Sequence, residues 1–421
     1  MFKLIIKASS LSLFIRLGGV GLMLLVHILF ARTLSKNDYG LYIYAINLLQ
    51  ILALISRSGL ENNALRFATL YKEKNSKKKL QEYLSLAFIF PVIISVLIIL
   101  LMVFIVFLLN KPASALSMTY MYIAWIIAFY AILGNMQSSL QAIKKIFFSQ
   151  IFEQIILPIL LLFILLIIIN KQAEFNFQYA INSYGFIMFL LALTCSILVF
   201  KFYNIKPTIP KISNSIFWLK ESIFLILNNL ITLLLNRMDL LLLGLFLLTS
   251  EIANYGVAGR IAGLVIFINA AIANITNPLI AELYHKKKYA EIRKMLKIII
   301  IFALLFSLLT LAFLAITGKF ILSFFGDEYI SSYKILLILS FAQAFNLFPT
   351  SLSSILIISG KQKELFKISL ISLIIIIILL LILIPQFGTI GAAISTLIGV
   401  FIANILLLRK IYLHENITHN L

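Results

Sequence analysis

Long apolar blocks alternate with short polar connections along nearly the whole chain. Blocks such as LLFILLIIIN (161–170) and LIIIIILLLILIP (373–385) have no period-two alternation and no polar face. A bilayer-spanning helix needs about 20 mostly apolar residues. On that measure the pattern predicts twelve spans. They lie near 11–31, 39–60, 84–108, 115–140, 146–169, 178–200, 217–248, 252–280, 298–317, 334–358, 365–384 and 388–408. The blocks at 115–140 and 334–358 are the least uniformly apolar. The expected fold is all-α and polytopic.

The pattern also repeats. TLSKNDYGLYIYA (33–45) matches LTSEIANYGVAGRI (248–261), with Tyr255-Gly256 standing 216 positions after Tyr39-Gly40. The same offset carries the basic connection 66–82 onto 282–298, and a slightly larger one carries AIKKIF (142–147) towards SGKQKELF (359–366). An even number of spans per half makes the repeat parallel. The expected plan is therefore two pseudo-symmetric six-helix lobes, 1–203 and 216–421, joined by a cytoplasmic linker at 204–215. Such a plan places a transport site between the lobes.

Composition agrees with a membrane setting. The chain is 62% hydrophobic and 12% charged, against about half and about a quarter in soluble domains. The formal charge of +20 follows from topology rather than from nucleic-acid binding. With the N-terminus placed in the cytoplasm, inside segments hold 25 of the 35 Lys and Arg residues and outside loops hold 6. The positive-inside rule then sets both termini in the cytoplasm. The first apolar stretch is long and carries Arg16, so it is expected to be retained as a span and not cleaved as a signal peptide. Cys195 is the one cysteine; in an apolar run it is a packing residue.

Polar residues inside the blocks form stripes at helical spacing. In the seventh span Glu221, Asn228, Asn229, Thr232, Asn236 and Asp239 fall within a stripe roughly 80–100° wide. Asn47, Gln50, Arg57 and Glu61 share a face near the second span. Ser9, Ser12, Arg16 and His27 share one on the first, and Gly256, Arg260, Gly263 and Asn274 share one on the eighth. Corresponding helices of the two halves thus carry stripes that would line a polar cavity. Charges at such depth cost several kcal/mol and face partners or water. Arg16 and Arg57 lie near cytoplasmic ends, where snorkelling is the alternative. Arg260 lies about two turns inside its span. Arg237 points about 130° from the stripe that holds Asp239, so the two are not expected to be partners and the role of Arg237 stays open. His27 is expected at a helix interface, Glu153 at the inner rim, and Gly18, Gly19 and Gly21 at packing positions.

The sequence holds no GxxxxGK[ST] loop, no His/Cys cluster at metal-ligand spacing and no soluble domain. No outside loop is longer than about 20 residues, which leaves no room for the catalytic loop of a membrane polysaccharide polymerase. The expected activity is not enzymatic, and no cofactor is expected.

ARTLSKNDYGLYIYAINLLQILALISRSGLENNALRFA (31–68) resembles the opening of the polysaccharide-biosynthesis flippases. These belong to the multidrug/oligosaccharidyl-lipid/polysaccharide exporter superfamily. NRMDLLLLGLFLLTSEIANYGVAGRI (236–261), followed by Pro278, resembles the start of their second half. FFGDEYISSYKILLILSFAQAF (324–345), Gly360 and IPQFGTIGAAIST (384–396) resemble later landmarks. The likeness implies two lobes forming a V that opens alternately to either side. It implies a substrate of the undecaprenyl-pyrophosphate type carrying an oligosaccharide, moved between leaflets of a bacterial cytoplasmic membrane. Membrane lipids surround such a protein, polysaccharide-assembly proteins are candidate partners, and the monomer is the functional unit. The family's cationic cavity holds pyrophosphate, a role that Arg16, Arg57 and Arg260 suit, with Arg237 a further candidate. Asp239, Glu61, Asn47, Gln50, Asn229, Thr232, Asn236 and Asn274 are the polar lining and coupling candidates, with H⁺ or Na⁺ as the coupling ion. The alternatives are an ion-coupled multidrug exporter and a lipid II flippase. Deep charges that are more basic than acidic weigh against the first, and twelve spans against the second.

Overall fold

The computed structural model describes residues 2–108, 115–171, 174–265, 276, 279–345 and 349–412. They are helical with short connections. The first unit of the chain, Met1–Leu230, begins with α1 (Phe2–Thr33), α2 (Lys36–Arg57), α3 (Leu60–Glu73) and α4 (Lys77–Leu108). It continues with α5 (Ala115–Ala142), α6 (Ile146–Ile151), a π turn (Phe152–Ile156), α7 (Leu157–Asn170) and α8 (Phe177–Tyr203). Helix α9 (Ile212–Phe246) runs on into the second unit, Ile231–Leu421. That unit adds α10 (Thr249–Gly263), α11 (Tyr289–Ser323), a 3₁₀ turn (Asp327–Ser332), α12 (Tyr333–Phe345), α13 (Pro349–Ile358) and α14 (Gln362–Tyr412).

The unit boundary falls inside α9 and not in the 204–215 connection where the sequence suggests a linker. The reason is the packing of the first half of α9. Trp218 is buried against Tyr71 and Tyr83, and its Nε1 donates to Tyr71 Oη at 3.0 Å. Asn63 donates to Ser222 Oγ at 2.7 Å and Asn214 to Glu82 at 2.6 Å. The connection itself is tied to α4, where Thr208 N donates to Ser85 Oγ at 2.8 Å.

Local chemistry sets the breaks between helices. Ser35 caps α2 by accepting from Asp38 N, the favoured N-cap chemistry. Ser58 and Gly59 both take left-handed φ values, 52° and 72°, and part α2 from α3. A Cβ on Gly59 would lie 2.8 Å from the Ser222 carbonyl, so glycine also permits the approach of α9. Pro158 has no N–H for the carbonyl of Gln154, and the turn before it widens to π geometry, with Leu157 N bonded to Phe152 O. A Cβ on Gly19 of α1 would collide with that same Gln154 carbonyl at 2.5 Å.

Among the described residues nine helices are long and apolar enough to cross a membrane. The predicted spans at 252–280 and 334–358 run over residues outside the described set. The predicted pair at 365–384 and 388–408 appears as the single run α14, yet Gly388 inside it has φ 57° and ψ −135°. Glu364 and Lys410, near its two ends, are 3.1 Å apart, whereas a straight helix would separate them by about 69 Å. Leu383 meets Gly391 and Ile376 meets Gly399. Helix α14 therefore folds back on itself at Gly388 and supplies two antiparallel segments.

The two least apolar blocks are the hubs of their units. Helix α5 packs on α2, α3, α4 and α8, and α12 packs on α10, α11 and α14. Polar groups on the hubs bond within the protein, as membrane burial demands. Asn135 Nδ2 donates to Ala87 O at 2.9 Å, and Tyr203 Oη donates to Ser139 O at 2.8 Å. In the second unit Asn404 Nδ2 donates to the Phe345 carbonyl at 2.9 Å.

Candidate functional site

In the first unit, charged side chains meet at the α2–α3 break. Arg57 is the last residue of α2 and Glu61 lies in the first turn of α3, each at the helix end its charge favours. Arg57 Nη1 donates to Glu61 Oε2 at 2.8 Å, with the side chains 17% and 12% exposed. Nη2 reaches the Tyr130 carbonyl at 3.5 Å, and the guanidinium lies 5.1 Å from the Tyr130 ring centroid. Tyr130 Oη donates to Glu153 Oε1 at 3.0 Å, and Glu153 is within electrostatic reach of the same guanidinium. Asn229 Nδ2 donates to Glu61 Oε1 at 3.3 Å. A Cβ on Gly134 would overlap the guanidinium, lying 2.7 Å from Nη1. The missing side chain is thus the notch in which Arg57 sits. Arg57 does not snorkel; it is clamped by α3, α5 and the π turn. Its Nε has no hydrogen-bond partner among the described residues.

In the second unit the focus is Asp239 on α9. Tyr255 Oη donates to its Oδ2 at 2.6 Å, and Leu240 N donates to Oδ1 at 2.8 Å. Thr396 Oγ1 lies 3.5 Å from Oδ2. The carboxylate thus joins α9 to α10 and α14. The sequence stripe does not stay together. Asn228, Thr232 and Asn236 are exposed, whereas Asp239 is half-buried and turned towards Tyr255. A stripe that wide has edges that meet different neighbours, and Tyr255 captures one edge. Asn236 Nδ2 is spent on the Thr232 carbonyl at 2.6 Å. Arg237 lies within electrostatic reach of Asp239.

The repeated Tyr-Gly pair acquires a physical meaning here. In the first unit Tyr39 Oη lies 3.4 Å from His27 Nδ1 on the preceding helix. In the second, Tyr255 holds Asp239 on its preceding helix. Both tyrosines are fully buried.

The other candidates scatter. Arg16 is exposed on α1, Gln50 is half-buried and Arg260 is half-buried on α10. The Nε of Arg260 is enclosed without a partner among the described residues. Asn47 is buried and donates to the Ile43 carbonyl of its own helix at 2.7 Å, so it belongs to the packing of α2. Asn274 lies outside the described residues. Sequence reasoning passed over Tyr130, Gly134 and Thr396. The available signals were a lone glycine inside the polar run LGNMQSS and a proline five residues after a membrane glutamate.

This is a polytopic, all-helical membrane protein of the transporter type, built from two units with charged groups set inside spanning helices. The profile of the family described as polysaccharide biosynthesis protein matches residues 5–284, and the chain belongs to that family. The MatE profile matches residues 225–383. The chain is 29% identical over 173 residues to the probable flippase AglR of Haloferax volcanii, covering 40% of this chain and 36% of that protein. It is 31% identical over 139 residues to the capsular polysaccharide biosynthesis protein CapF of Staphylococcus aureus, covering 33% and 35%. The matched stretches thus span about a third of each relative. Its fold is similar to an inward-facing multidrug resistance MATE family transporter, with TM-score 0.74, 13% identity and coverage of 95% and 98%. It is also similar to the lipid II flippase MurJ, with TM-score 0.72, 18% identity and coverage of 96% and 87%.

Proposed function

We propose that this protein flips a polyprenyl-pyrophosphate-linked oligosaccharide from the cytoplasmic to the outer leaflet of a bacterial cytoplasmic membrane, for surface polysaccharide assembly. The observation that carries this reading is the presence of arginines held inside spanning helices of a chain from this family. A pyrophosphate entering a low-dielectric region needs charge-assisted donors, and arginine supplies them in a planar fork. Arg57 and Arg260 are the leading candidates, with Arg237 and Arg16 behind them. The lipid tail stays in hydrocarbon while the charged head moves, so only the head has to be solvated by protein.

The test is translocation of defined lipid-linked oligosaccharides in reconstituted vesicles. Arg260→Ala is expected to lower the rate at least tenfold at normal protein level, and Arg260→Lys to retain part of it, since charge remains while the fork is lost. Normal transport by Arg260→Ala would remove this residue from the substrate site. The MatE match over 225–383 supports a second reading, an ion-coupled multidrug exporter. Counterflow of cationic drugs without movement of lipid-linked glycans would favour it.

The charge bias supports cytoplasmic termini. Lys78→Cys, in the basic connection before α4, is expected to stay unlabelled when an impermeant thiol reagent is added outside intact cells. Strong labelling would invert the orientation.

A further inference from the structure

The repeat places basic connections at matching positions in both units, but their lysines are treated differently. In the second unit four of them are ion-paired. Lys286 bonds Glu282, Lys288 lies 2.7 Å from Glu291, and Lys367 and Lys410 share Glu364. In the first unit, segments 69–79, 142–147 and 200–211 contain ten lysines and one acid, Glu73. None of those lysines is ion-paired among the described residues. The positive-inside rule counts Lys and Arg and is nearly indifferent to acids. It accounts for lysines in both units and does not account for this difference.

Two of these lysines sit on aromatic rings at the end of α8. Lys72 Nζ lies 5.7 Å from the ring centroid of Tyr203, and Lys145 Nζ lies 5.1 Å from that of Phe202. The two rings belong to successive residues at the end of α8. Tyr203 is anchored by its bond to the Ser139 carbonyl, and α3 is tied to the end of α5 by Thr69 Oγ1 donating to Ala142 O at 3.2 Å. Lys144 takes a left-handed φ of 61°, which turns the chain so that Lys145 reaches its ring. Lys201 is exposed one residue before the ring pair. Seating an ammonium on an aromatic face fixes its position at small gain and leaves N–H donors for another acceptor.

We propose that Lys72, Lys145 and Lys201 form a docking site for the phosphate headgroup of an anionic phospholipid. The location selects a lipid over a soluble anion. Lys145 and Lys201 stand at the ends of the candidate spans Ile146–Asn170 and Phe177–Tyr203, which is the level of the headgroup region.

The experiment titrates phosphatidylglycerol or phosphatidylcholine into the purified full-length chain in neutral detergent and reads apparent affinity from the rise in Tm. Phosphatidylglycerol is expected to raise Tm and phosphatidylcholine to leave it unchanged. The triple variant Lys72→Gln/Lys145→Gln/Lys201→Gln is expected to weaken phosphatidylglycerol binding roughly a hundredfold. The triple variant Lys77→Gln/Lys78→Gln/Lys79→Gln removes the same charge from the adjoining turn and is expected to weaken it about tenfold less than that. Equal weakening by both triples would mean diffuse attraction and would overturn the site. So would an equal Tm rise with soluble inorganic pyrophosphate, which would mark an anion site with no preference for lipid.

Discussion

Glu61→Ala is expected to destabilise the protein by about 3–5 kcal/mol, because it strands the Arg57 charge in a buried setting. The side chain of Arg57 has no easy escape. Gly134 and Tyr130 enclose it, and its exposure is only 17%. Replacing both partners with apolar residues of similar size avoids the stranded charge and is often neutral or better. Arg57→Met/Glu61→Leu is therefore expected to recover most of the lost stability in denaturant unfolding. Under the proposed function it does not recover glycan translocation, because the cation is gone. A double variant that transports at the wild-type rate would show that the pair only holds α2, α3 and α5 together.

If, as we propose, Asp239 couples transport to H⁺ or Na⁺, Asp239→Asn is expected to fold normally and to lose the dependence of transport on the ion gradient. The amide oxygen can accept from Leu240 N while Nδ2 donates to Tyr255 Oη, whose hydroxyl can also accept, so the stability change stays below about 1.5 kcal/mol. What disappears is the ability to carry a charge that H⁺ or Na⁺ can neutralise. Tyr255→Phe removes a donor to a carboxylate and is expected to cost about 1.5–3 kcal/mol while leaving the titrating group in place. Gradient-driven uptake into vesicles, compared across external pH and Na⁺, separates the two variants. If Asp239→Asn keeps the wild-type response to both gradients, the residue is a bond between α9, α10 and α14 and nothing more.

The helical, membrane-spanning character was legible because hydrocarbon imposes one strong rule: nearly every exposed position in a span must be apolar. The same rule made the hubs visible in outline. Residues 119–142 can afford Asn135, Gln137 and Ser139 because α5 faces protein and not lipid. Arg57 and Glu61 do meet at the four-residue spacing the sequence offers, but across the Ser58–Gly59 break and not along one helix. Helical periodicity was not enough to place Asp239. Its partners, Tyr255 and Thr396, lie 16 and 157 residues away along the chain.

The pattern of apolar blocks was sufficient to establish a polytopic α-helical chain. The Tyr-Gly repeat and the basic connections pointed to a duplication, and the lysine bias to an expected topology. These are properties of single helices and short connections, and their energetics are local. Whether an arginine is a free cation or one member of a clamp depends on which helices cross beside it. Gly134 becomes a notch only when α2 lies against α5. Glu153 on the π turn meets Tyr130 only when α5 lies beside that turn. Lys72 and Lys145 become one site only when the ends of α3, α5 and α8 meet. Those pairings arise from packing between segments distant in sequence, and no local pattern encodes distance in space.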